Sequence, residues 1–323
     1  MSTLNGSEKE ANESSPRTPS PNTSVLGHII HRLKDFKHLI RECNEVIMKN
    51  RQPGMKIEWK VDNKGRKSPT TDADIEVNAR ICAFLEGVNT HLALDGYKMV
   101  IVAEENEEEA SKHRFDDDVD GVWLVDGLDG TSDYIDFENG GEGFTCGNIG
   151  LVQRLRNDDG SLGTEWTPVF GMFSTPSDGT IYWGHKLMGS FKEPLHGEQE
   201  QLVIPNIGYR KVFGREGSDY RVAVSGKHCN SATEEFLERV FPHGAERIAG
   251  GSSRKVTMVT EGEVDMYPRL GPTMEWDICA AHAVHKYAGG LVVEYDEDVK
   301  SPYNLKELTY NKSSLYNPFF IVI

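Results

Sequence analysis

The sequence predicts a mixed α/β fold of the α+β kind, built in two halves, and two observations support this prediction. In the first half, two segments with apolar residues at helical spacing are followed by short apolar strands joined by Gly, Asp and Pro turns. In the second half, from residue 221 onward, strand-like and helix-like segments alternate. We therefore expect two helices against a mainly antiparallel sheet, followed by a layered α/β arrangement.

The length of 323 residues, at roughly 150 residues per domain, indicates about two domains. Residues 1–24 are dense in Ser, Pro, Asn and Glu and nearly empty of apolar residues, so we expect a disordered tail. Residues 25–190 are predicted to form an N-terminal domain, and residues 191–323 a C-terminal domain. The Gly-, Glu- and Pro-rich stretch 185–205 is the expected loop at the joint.

The first helix is predicted from Val25 to about Asn50, where the Pro53-Gly54 turn ends it. A second helix follows Asp74, because Thr71 and Asp74 have the spacing of a capping box. Residues 99–103 and 122–125 are apolar runs typical of buried strands. Further predicted strands are 145–152, 169–173, 180–183, 221–225, 291–295 and 319–323, and further helices are 233–240, 253–260 and 275–288.

Charge and cysteine content exclude several classes of protein. With 35 Lys and Arg against 51 Asp and Glu, the net charge is −16, which predicts no nucleic-acid and no membrane partner. The five cysteines are widely spaced, with no C-x-x-C pair, as in a reduced cytoplasmic protein. No stretch approaches the roughly 18 apolar residues of a membrane helix, and the N-terminus lacks the pattern of a secretory signal.

The most informative segment is 123–131, WLVDGLDGT, in which a strand delivers Asp126 and, across a glycine turn, Asp129. Two carboxylates placed together repel each other unless a cation lies between them. Hard ions such as Mg²⁺ prefer oxygen ligands of this kind, including a backbone carbonyl such as that of Leu128. A turn stabilised by Asx hydrogen bonds is the alternative that the local sequence leaves open.

Two further acids, Glu104 and Asp277, lie at the ends of predicted elements and are also candidate metal ligands. Glu104 closes the strand 99–103, whereas the other acids of 104–109 and 116–120 are expected to be solvated. Asp277 begins an apolar helix, where its alternative role is that of a charge favourable to the helix N-terminus.

These segments together resemble a known family. The stretches SPTTDAD, VAEEN, WLVDGLDGT, GGSSRK and YPRLGPTMEWDICAAHAVHKYAGG occur in order between residues 67 and 290. They resemble the lithium-sensitive, Mg²⁺-dependent phosphomonoesterases related to inositol monophosphatase, and most closely the 3′(2′),5′-bisphosphate nucleotidases. The resemblance implies an α-β-α-β-α sandwich of the inositol monophosphatase and fructose-1,6-bisphosphatase type. Gly127 is a departure, since the family usually has Pro there.

The resemblance also implies a set of metal ligands and catalytic residues. A first Mg²⁺ would be bound by Glu104, Asp126 and the Leu128 carbonyl, and a second by Asp126, Asp129 and Asp277. A third, weaker ion would use Glu104. Asp74 and the hydroxyl of Thr131 match the family pair that activates the attacking water.

Substrate contacts are implied in the same way. The N–H groups of Gly130, Thr131 and Ser132 would bind the scissile phosphate. Ser252, Lys255 and Arg269 match the family positions that hold the base and the second phosphate. His228, with Ser225 nearby, would lie against the adenine ring.

The predicted activity is removal of the 3′-phosphate from adenosine 3′,5′-bisphosphate (PAP) to give AMP, with its sulfated analogue PAPS as a second candidate substrate. An inositol (poly)phosphate 1-phosphatase is the alternative within the same class. A non-catalytic nucleotide- or cation-binding module is the alternative from another class, and the pair Asp74 and Thr131 argues against it. The glycine-rich stretch GGEGFTCGNIG contains no G-x-G-x-x-G, which argues against a dinucleotide-dependent enzyme. We expect a monomer or a homodimer.

Overall fold

The structure is a computed structural model that describes residues 24–61, 67–106, 112–136, 141, 143–156, 161–195, 200–202, 220–225, 230–295 and 306–323. The predicted tail lies outside these residues except for Ser24, whose Oγ accepts a hydrogen bond from Gly27 N and caps the first helix. The helices are α1 (Val25–His31), α2 (Leu33–Asn50), α3 (Asp72–Leu94), α4 (Thr131–Tyr134), α5 (Ser231–Val240), α6 (Ser252–Thr260) and α7 (Cys279–Tyr287).

The strands fall into four sheets in the described part of the chain. They are β1 (Ile57–Val61), β2 (Lys67–Thr71), β3 (Met99–Ala103), β4 (Gly121–Asp129), β5 (Thr145–Arg156), β6 (Leu162–Thr175), β7 (Thr180–His185), β8 (Gly189–Pro194), β9 (Glu200–Gln201), β10 (Arg221–Ser225), β11 (Glu246–Gly250), β12 (Tyr267–Arg269), β13 (Val292–Glu294) and β14 (Phe320–Val322).

The largest sheet has seven strands in the order β3-β4-β5-β6-β7-β8-β9. The β3–β4 pair is parallel and every other neighbouring pair is antiparallel, which confirms the mainly antiparallel sheet. Alternate residues of β4 face opposite sides: Trp123 packs with α2 and α3, whereas Leu124 packs with α7. The sheet is therefore covered by helices on both faces.

A row of three glycines lets α7 approach the sheet closely. Gly150, Gly171 and Gly184 lie side by side on β5, β6 and β7. A Cβ atom on Gly171 would lie 2.2 Å from Ala280 O, and one on Gly184 would lie 2.6 Å from Ala283 O. The backbone of α7 thus rests directly on the backbone of the sheet.

The second half adds two more layers. Strands β10 and β11 pair in parallel, β12, β14 and β13 form an antiparallel sheet, and a bridge between Val222 and Met266 joins the two. Helix α5 packs on this layer through Phe236 and Leu237. The order α2/α3, large sheet, α6/α7, second sheets and α5 confirms the predicted α-β-α-β-α sandwich.

Three local features differ from the sequence-based prediction. The first helix is interrupted at Arg32, which periodicity cannot detect because α1 and α2 both contribute to one core. The β1–β2 hairpin was not predicted, because its first strand is exposed at every position and so lacks a buried pattern. The helix predicted over 275–288 begins only at Cys279.

The loop predicted over 185–205 is also wrong where the structure describes it. Strands β8 and β9 extend the large sheet past residue 190, because β8 pairs with β7 along its whole length. Whether the chain divides into two domains at this point remains a prediction.

Among the described helices, none combines the length and apolar character that a membrane crossing requires. Four cysteines lie in the described part, Cys43, Cys82, Cys146 and Cys279, and none of them forms a disulfide.

Two buried histidines join neighbouring layers through residues that are distant in sequence. His185 Nε2 lies 3.2 Å from Leu26 O, and its Nδ1 accepts a hydrogen bond from Leu187 N. His285 Nε2 lies 3.0 Å from Ile323 O. Burial lowers the pKa of each imidazole from 6.5 to about 4, since the charged ring would lose its hydration.

We expect acid to destabilise the protein between pH 6.5 and about pH 4. The unfolded chain binds a proton at each of these histidines in that window and the folded chain does not, so stability falls as pH falls, by up to about 1.4 kcal/mol per pH unit for each ring. Urea unfolding of His285→Gln across this range should show a shallower slope than wild type. His38→Gln, at an exposed position, is the control and should keep the wild-type slope; an unchanged slope in His285→Gln would contradict the prediction.

Candidate active site

A cavity of about 710 Å³ opens where β4 ends, between the large sheet and the second-half layers. Most of the residues singled out in the sequence line it: Glu104, Asp126, Leu128, Asp129, Gly130, Thr131, Ser132, Ser225, Lys255, Arg269 and Asp277. Ser252 is the first residue of α6 and follows Gly251, which lines the cavity. His228 lies outside the described residues.

Three carboxylates meet at the floor of this cavity. Asp126, Asp129 and Asp277 each offer an oxygen atom, and these atoms all lie within 4.8 Å of one another. Glu104, at the end of the neighbouring β3, lines the same floor. The chain thus gathers acids from three separate segments at one point.

The two aspartates of β4 are not separated by a glycine turn, contrary to the prediction. Strand β4 continues without a turn through Gly127 to Asp129, because antiparallel pairing with β5 is maintained as far as the Asp129–Thr145 pair. Gly127 lies against α3, where a Cβ atom would be 2.9 Å from Asn78 N. The chain turns at Gly130, whose φ of +86° is in the left-handed region that favours glycine.

Asp277 is held in the turn before α7. Its Oδ2 accepts a hydrogen bond from Met274 N at 2.9 Å. Because α7 lies so close to the glycine row of the sheet, the residues immediately before this helix reach the end of β4.

Ser253 is hydrogen-bonded to both acidic segments, and it was not among the predicted site residues. Its N–H donates to Asp129 Oδ2 at 3.2 Å, and its Oγ donates to the carbonyl of Asp277 at 3.0 Å. The side chain is fully buried. Its place in the GGSS segment, next to the predicted Ser252, was the available signal, but nothing in the sequence distinguishes the two serines.

The carboxylates raise one another's pKa. Burial, and then the charge of Asp277, raise the pKa of Glu104 from 4.5 to about 8. Burial and the charge of Asp129 raise that of Asp277 from 3.8 to about 7. The pKa of Asp126 is raised well above its ordinary value by burial and by Glu104.

This donor set fits a hard divalent cation. Every candidate ligand at the cavity floor is an oxygen atom, which is the chemistry that Mg²⁺, Ca²⁺ and Mn²⁺ prefer. A cation among the carboxylates would also cancel the repulsion that raises their pKa values.

Asp74 and Thr131 are brought into direct contact. Asp74 Oδ2 accepts hydrogen bonds from the backbone N–H and the hydroxyl of Thr71, which forms the predicted capping box of α3. Its Oδ1 accepts a hydrogen bond of 2.8 Å from Thr131 Oγ1. Burial raises the pKa of Asp74, and the hydrogen bonds from Thr71 and Thr131 partly oppose this effect.

Two basic side chains, Lys255 and Arg269, line another part of the same cavity, the cationic wall. The Lys255 side chain is 2% exposed, and its Nζ donates to Gly250 O at 2.7 Å. Burial, and then the nearby charge of Arg269, lower the pKa of Lys255 from 10.5 to about 7. Two neighbouring cations of this kind favour an anionic ligand, which would relieve their repulsion.

Comparison with known proteins agrees with this site. The sequence profile described as "Inositol monophosphatase family" matches residues 33–318, which is most of the chain. The chain belongs to the inositol monophosphatase family.

Several relatives within that family carry a more specific name. A protein of Escherichia coli K12 named 3′(2′),5′-bisphosphate nucleotidase CysQ is 31% identical over 267 residues, covering 81% of this chain and 88% of the relative. The CysQ of Salmonella typhimurium is 29% identical over 293 residues, covering 90% and 98%. The crystal structure of CysQ from Bacteroides thetaiotaomicron superposes with a TM-score of 0.63 at 28% identity, covering 88% and 93%.

We expect that removing one charge from the cavity floor stabilises the metal-free protein. The pKa of Glu104 is about 8, above its ordinary 4.5, so stability falls as pH rises through this interval. In the presence of a chelator, Glu104→Gln should raise the free energy of unfolding by about 1–3 kcal/mol at pH 8 and by much less near pH 5.

Urea unfolding at the two pH values is the measurement, and Glu105→Gln is the matched control. Glu105 is paired with Lys60, so its substitution should not stabilise the protein. Equal gains in the two variants, or a gain for Glu104→Gln that does not depend on pH, would refute the argument.

Proposed function

We propose that this protein is a Mg²⁺-dependent 3′(2′),5′-bisphosphate nucleotidase that removes the 3′-phosphate from PAP to give AMP and phosphate, with PAPS as a further substrate. One observation carries the proposal: an all-oxygen carboxylate cluster and two basic side chains, the buried Lys255 and the half-buried Arg269, line a single cavity. The CysQ relatives support the same substrate class. The cytoplasmic location and the oligomeric state, monomer or homodimer, remain predictions.

The residues proposed to bind magnesium are those at the cavity floor. Glu104, Asp126 and the Leu128 carbonyl would bind one ion, and Asp126, Asp129 and Asp277 a second, with Glu104 available to a third. When bound, the metal supplies Lewis-acid charge that activates water and stabilises the departing ribose oxygen.

The chain itself moves the proton of the attacking water. Thr131 donates its hydroxyl hydrogen to Asp74, which leaves the Thr131 oxygen free to accept a proton from water. As that proton arrives on Thr131 Oγ1, the hydroxyl proton passes to Asp74 Oδ1. The raised pKa of Asp74 favours this transfer, and the bonds from Thr71 hold the carboxylate in place.

The phosphate to be removed lies, in this proposal, beside the turn at the end of β4. Gly130, Thr131 and Ser132 line the cavity with the carboxylate cluster, and their backbone N–H groups would donate to this phosphate. Ser225 and Ser252, with His228 as an untested contact, are assigned to the nucleoside.

The second phosphate is assigned to Lys255 and Arg269. Both side chains line the cavity, and Lys255 is buried without a carboxylate hydrogen-bonded to its Nζ among the described residues. An inositol monophosphate would leave both cations without an anion, whereas a 3′,5′-bisphosphate supplies one. This observation favours a bisphosphate over the inositol monophosphate alternative.

Phosphate release measured side by side on PAP, PAPS, 3′-AMP, inositol 1-phosphate and inositol 1,4-bisphosphate tests the proposal. With Mg²⁺ we expect kcat/KM for PAP to exceed that for inositol 1-phosphate by about 10²-fold, since a charged hydrogen-bonded pair contributes about 2–4 kcal/mol. A chelator should abolish turnover and Mg²⁺ should restore it. Equal rates on all substrates would contradict the nucleotidase assignment. Full activity in the presence of chelator would contradict the proposed metal dependence.

The proton-transfer step predicts a specific loss in Asp74→Asn. We expect kcat on PAP to fall by roughly 10²–10⁴-fold with little change in KM, because the amide cannot accept the proton. Asp72→Asn, an exposed acid of the same first turn of α3, is the control and should leave kcat nearly unchanged. A normal kcat combined with a lower melting temperature in Asp74→Asn would assign Asp74 a capping role alone.

A further inference from the structure

The segment 309–317, which the proposed function does not use, contacts the turn that carries Asp277. That turn spans residues 274–277, immediately before α7, and Asp277 is one of the three clustered carboxylates of the cavity floor. None of residues 309–317 lines the cavity. The contact of this segment with the site is therefore made through the turn.

Glu275, in the middle of the turn, is the main point of contact. Its side chain is fully buried, and three donors of the segment converge on its carboxylate. Asn311 N donates to Oε2 at 2.7 Å, Lys312 N donates to Oε1 at 3.0 Å, and Lys312 Nζ lies 2.7 Å from Oε1. A buried carboxylate is costly unless it has both a charged partner and hydrogen bonds, and Glu275 obtains both from two neighbouring residues.

The backbone of the segment is shaped for this carboxylate. Asn311 has a φ of +52°, in the left-handed region that Asn enters more readily than most residues. Two successive backbone N–H groups then converge on one anion, as they do in anion-binding nests. The Asn311 side chain is fixed in turn by Arg114, whose carbonyl accepts from Nδ2 at 3.0 Å and whose Nη1 donates to Oδ1 at 3.3 Å.

Asn317 makes a second contact with the same turn. Its Nδ2 donates to the carbonyl of Met274 at 2.8 Å, and its Oδ1 accepts from Lys312 Nζ at 3.3 Å. Met274 N is the group that donates to Asp277 Oδ2, at 2.9 Å. The Asp277 carboxylate is therefore bonded to a residue that the segment holds directly.

We propose that Glu275, Lys312 and Asn317 are positioning residues that hold Asp277 in the geometry required to bind a divalent cation. The inference rests on the proposed function, in which Asp277 is a metal ligand. Residues that orient a metal ligand typically change metal affinity by about 10- to 100-fold when they are substituted. The three residues act through the position of Asp277, and none of them contacts the cation or the substrate.

Lys312→Met separates positioning from charge, because the two effects have opposite signs. Loss of a positive charge would by itself strengthen cation binding, since a repulsion is removed. Loss of positioning weakens binding, because Glu275 keeps only its two backbone donors and the turn is no longer held in one place. The direction of the change in metal affinity therefore decides between the two.

Binding of Mn²⁺ to the substrate-free protein, followed by electron paramagnetic resonance, is the measurement. Asp277→Asn identifies the ion that Asp277 binds, and in Lys312→Met we expect the Kd of that same ion to rise by about 10- to 100-fold. In turnover, the Mg²⁺ concentration for half-maximal rate should rise by a similar factor. At saturating Mg²⁺, kcat and KM for PAP should change by less than about threefold.

Asn317→Ala tests the second contact without removing a charge. We expect the Kd of the same Mn²⁺ ion to rise by about five- to tenfold, as for the loss of one hydrogen bond. This variant also decides the matter if Lys312→Met does not fold.

Lys37→Met is the matched control. Lys37 Nζ lies 2.6 Å from Glu193 Oε2, a buried carboxylate, and neither residue lines the cavity. Its loss should lower the melting temperature and leave the Kd for Mn²⁺ unchanged.

Several outcomes would overturn the positioning role. They are an unchanged or lower Kd in folded Lys312→Met, an unchanged Kd in Asn317→Ala, and Mn²⁺ binding that Asp277→Asn does not alter. If the wild-type protein binds Mn²⁺ at Asp277 but does not hydrolyse PAP, the proposed function fails, and the Kd values of the variants still decide whether these residues position the ligand.

Discussion

Mutual repulsion among buried carboxylates is the constraint on which the rest of the site depends. Glu104, Asp126, Asp129 and Asp277 occupy one cavity floor, and burial together with mutual repulsion raises the pKa values of Glu104, Asp126 and Asp277. The surrounding structure opposes this repulsion. Each acid is fixed through backbone that is itself part of a regular element or a hydrogen-bonded turn, so separation of the charges would require β3, β4 and α7 to part.

Helix α6 connects the acidic floor to the cationic wall. Ser253 donates to Asp129 and to the Asp277 carbonyl, and Lys255 is two residues further along the same turn. Any shift of this helix would therefore change the metal-ligand geometry and the anion-binding geometry together. In the proposed function, this helix would therefore set the positions of the groups that bind the two phosphates of the substrate.

How much the sequence revealed depended on whether the signal was local. The capping box at Thr71 and Asp74 and the strand ending at Glu104 could be predicted, since periodicity and cap spacing are local properties, whereas the layered sandwich was implied only by the resemblance to a known family. The role of Ser253 could not be predicted, because it depends on partners that lie far away in the chain. Strand β8 was missed because its burial pattern is irregular, and the hairpin of β1 and β2 because exposed strands carry no apolar alternation.

The glycine row beneath α7 restricts which substitutions the sheet can accept while Asp277 stays in place. Gly150, Gly171 and Gly184 belong to three different strands, yet a methyl group on any of them would lift the same helix from the sheet. The three sites are therefore epistatic: once one of them has acquired a side chain, the other two no longer gain from remaining glycine. Lineages that keep the close contact must keep all three, although none of these residues touches the cavity.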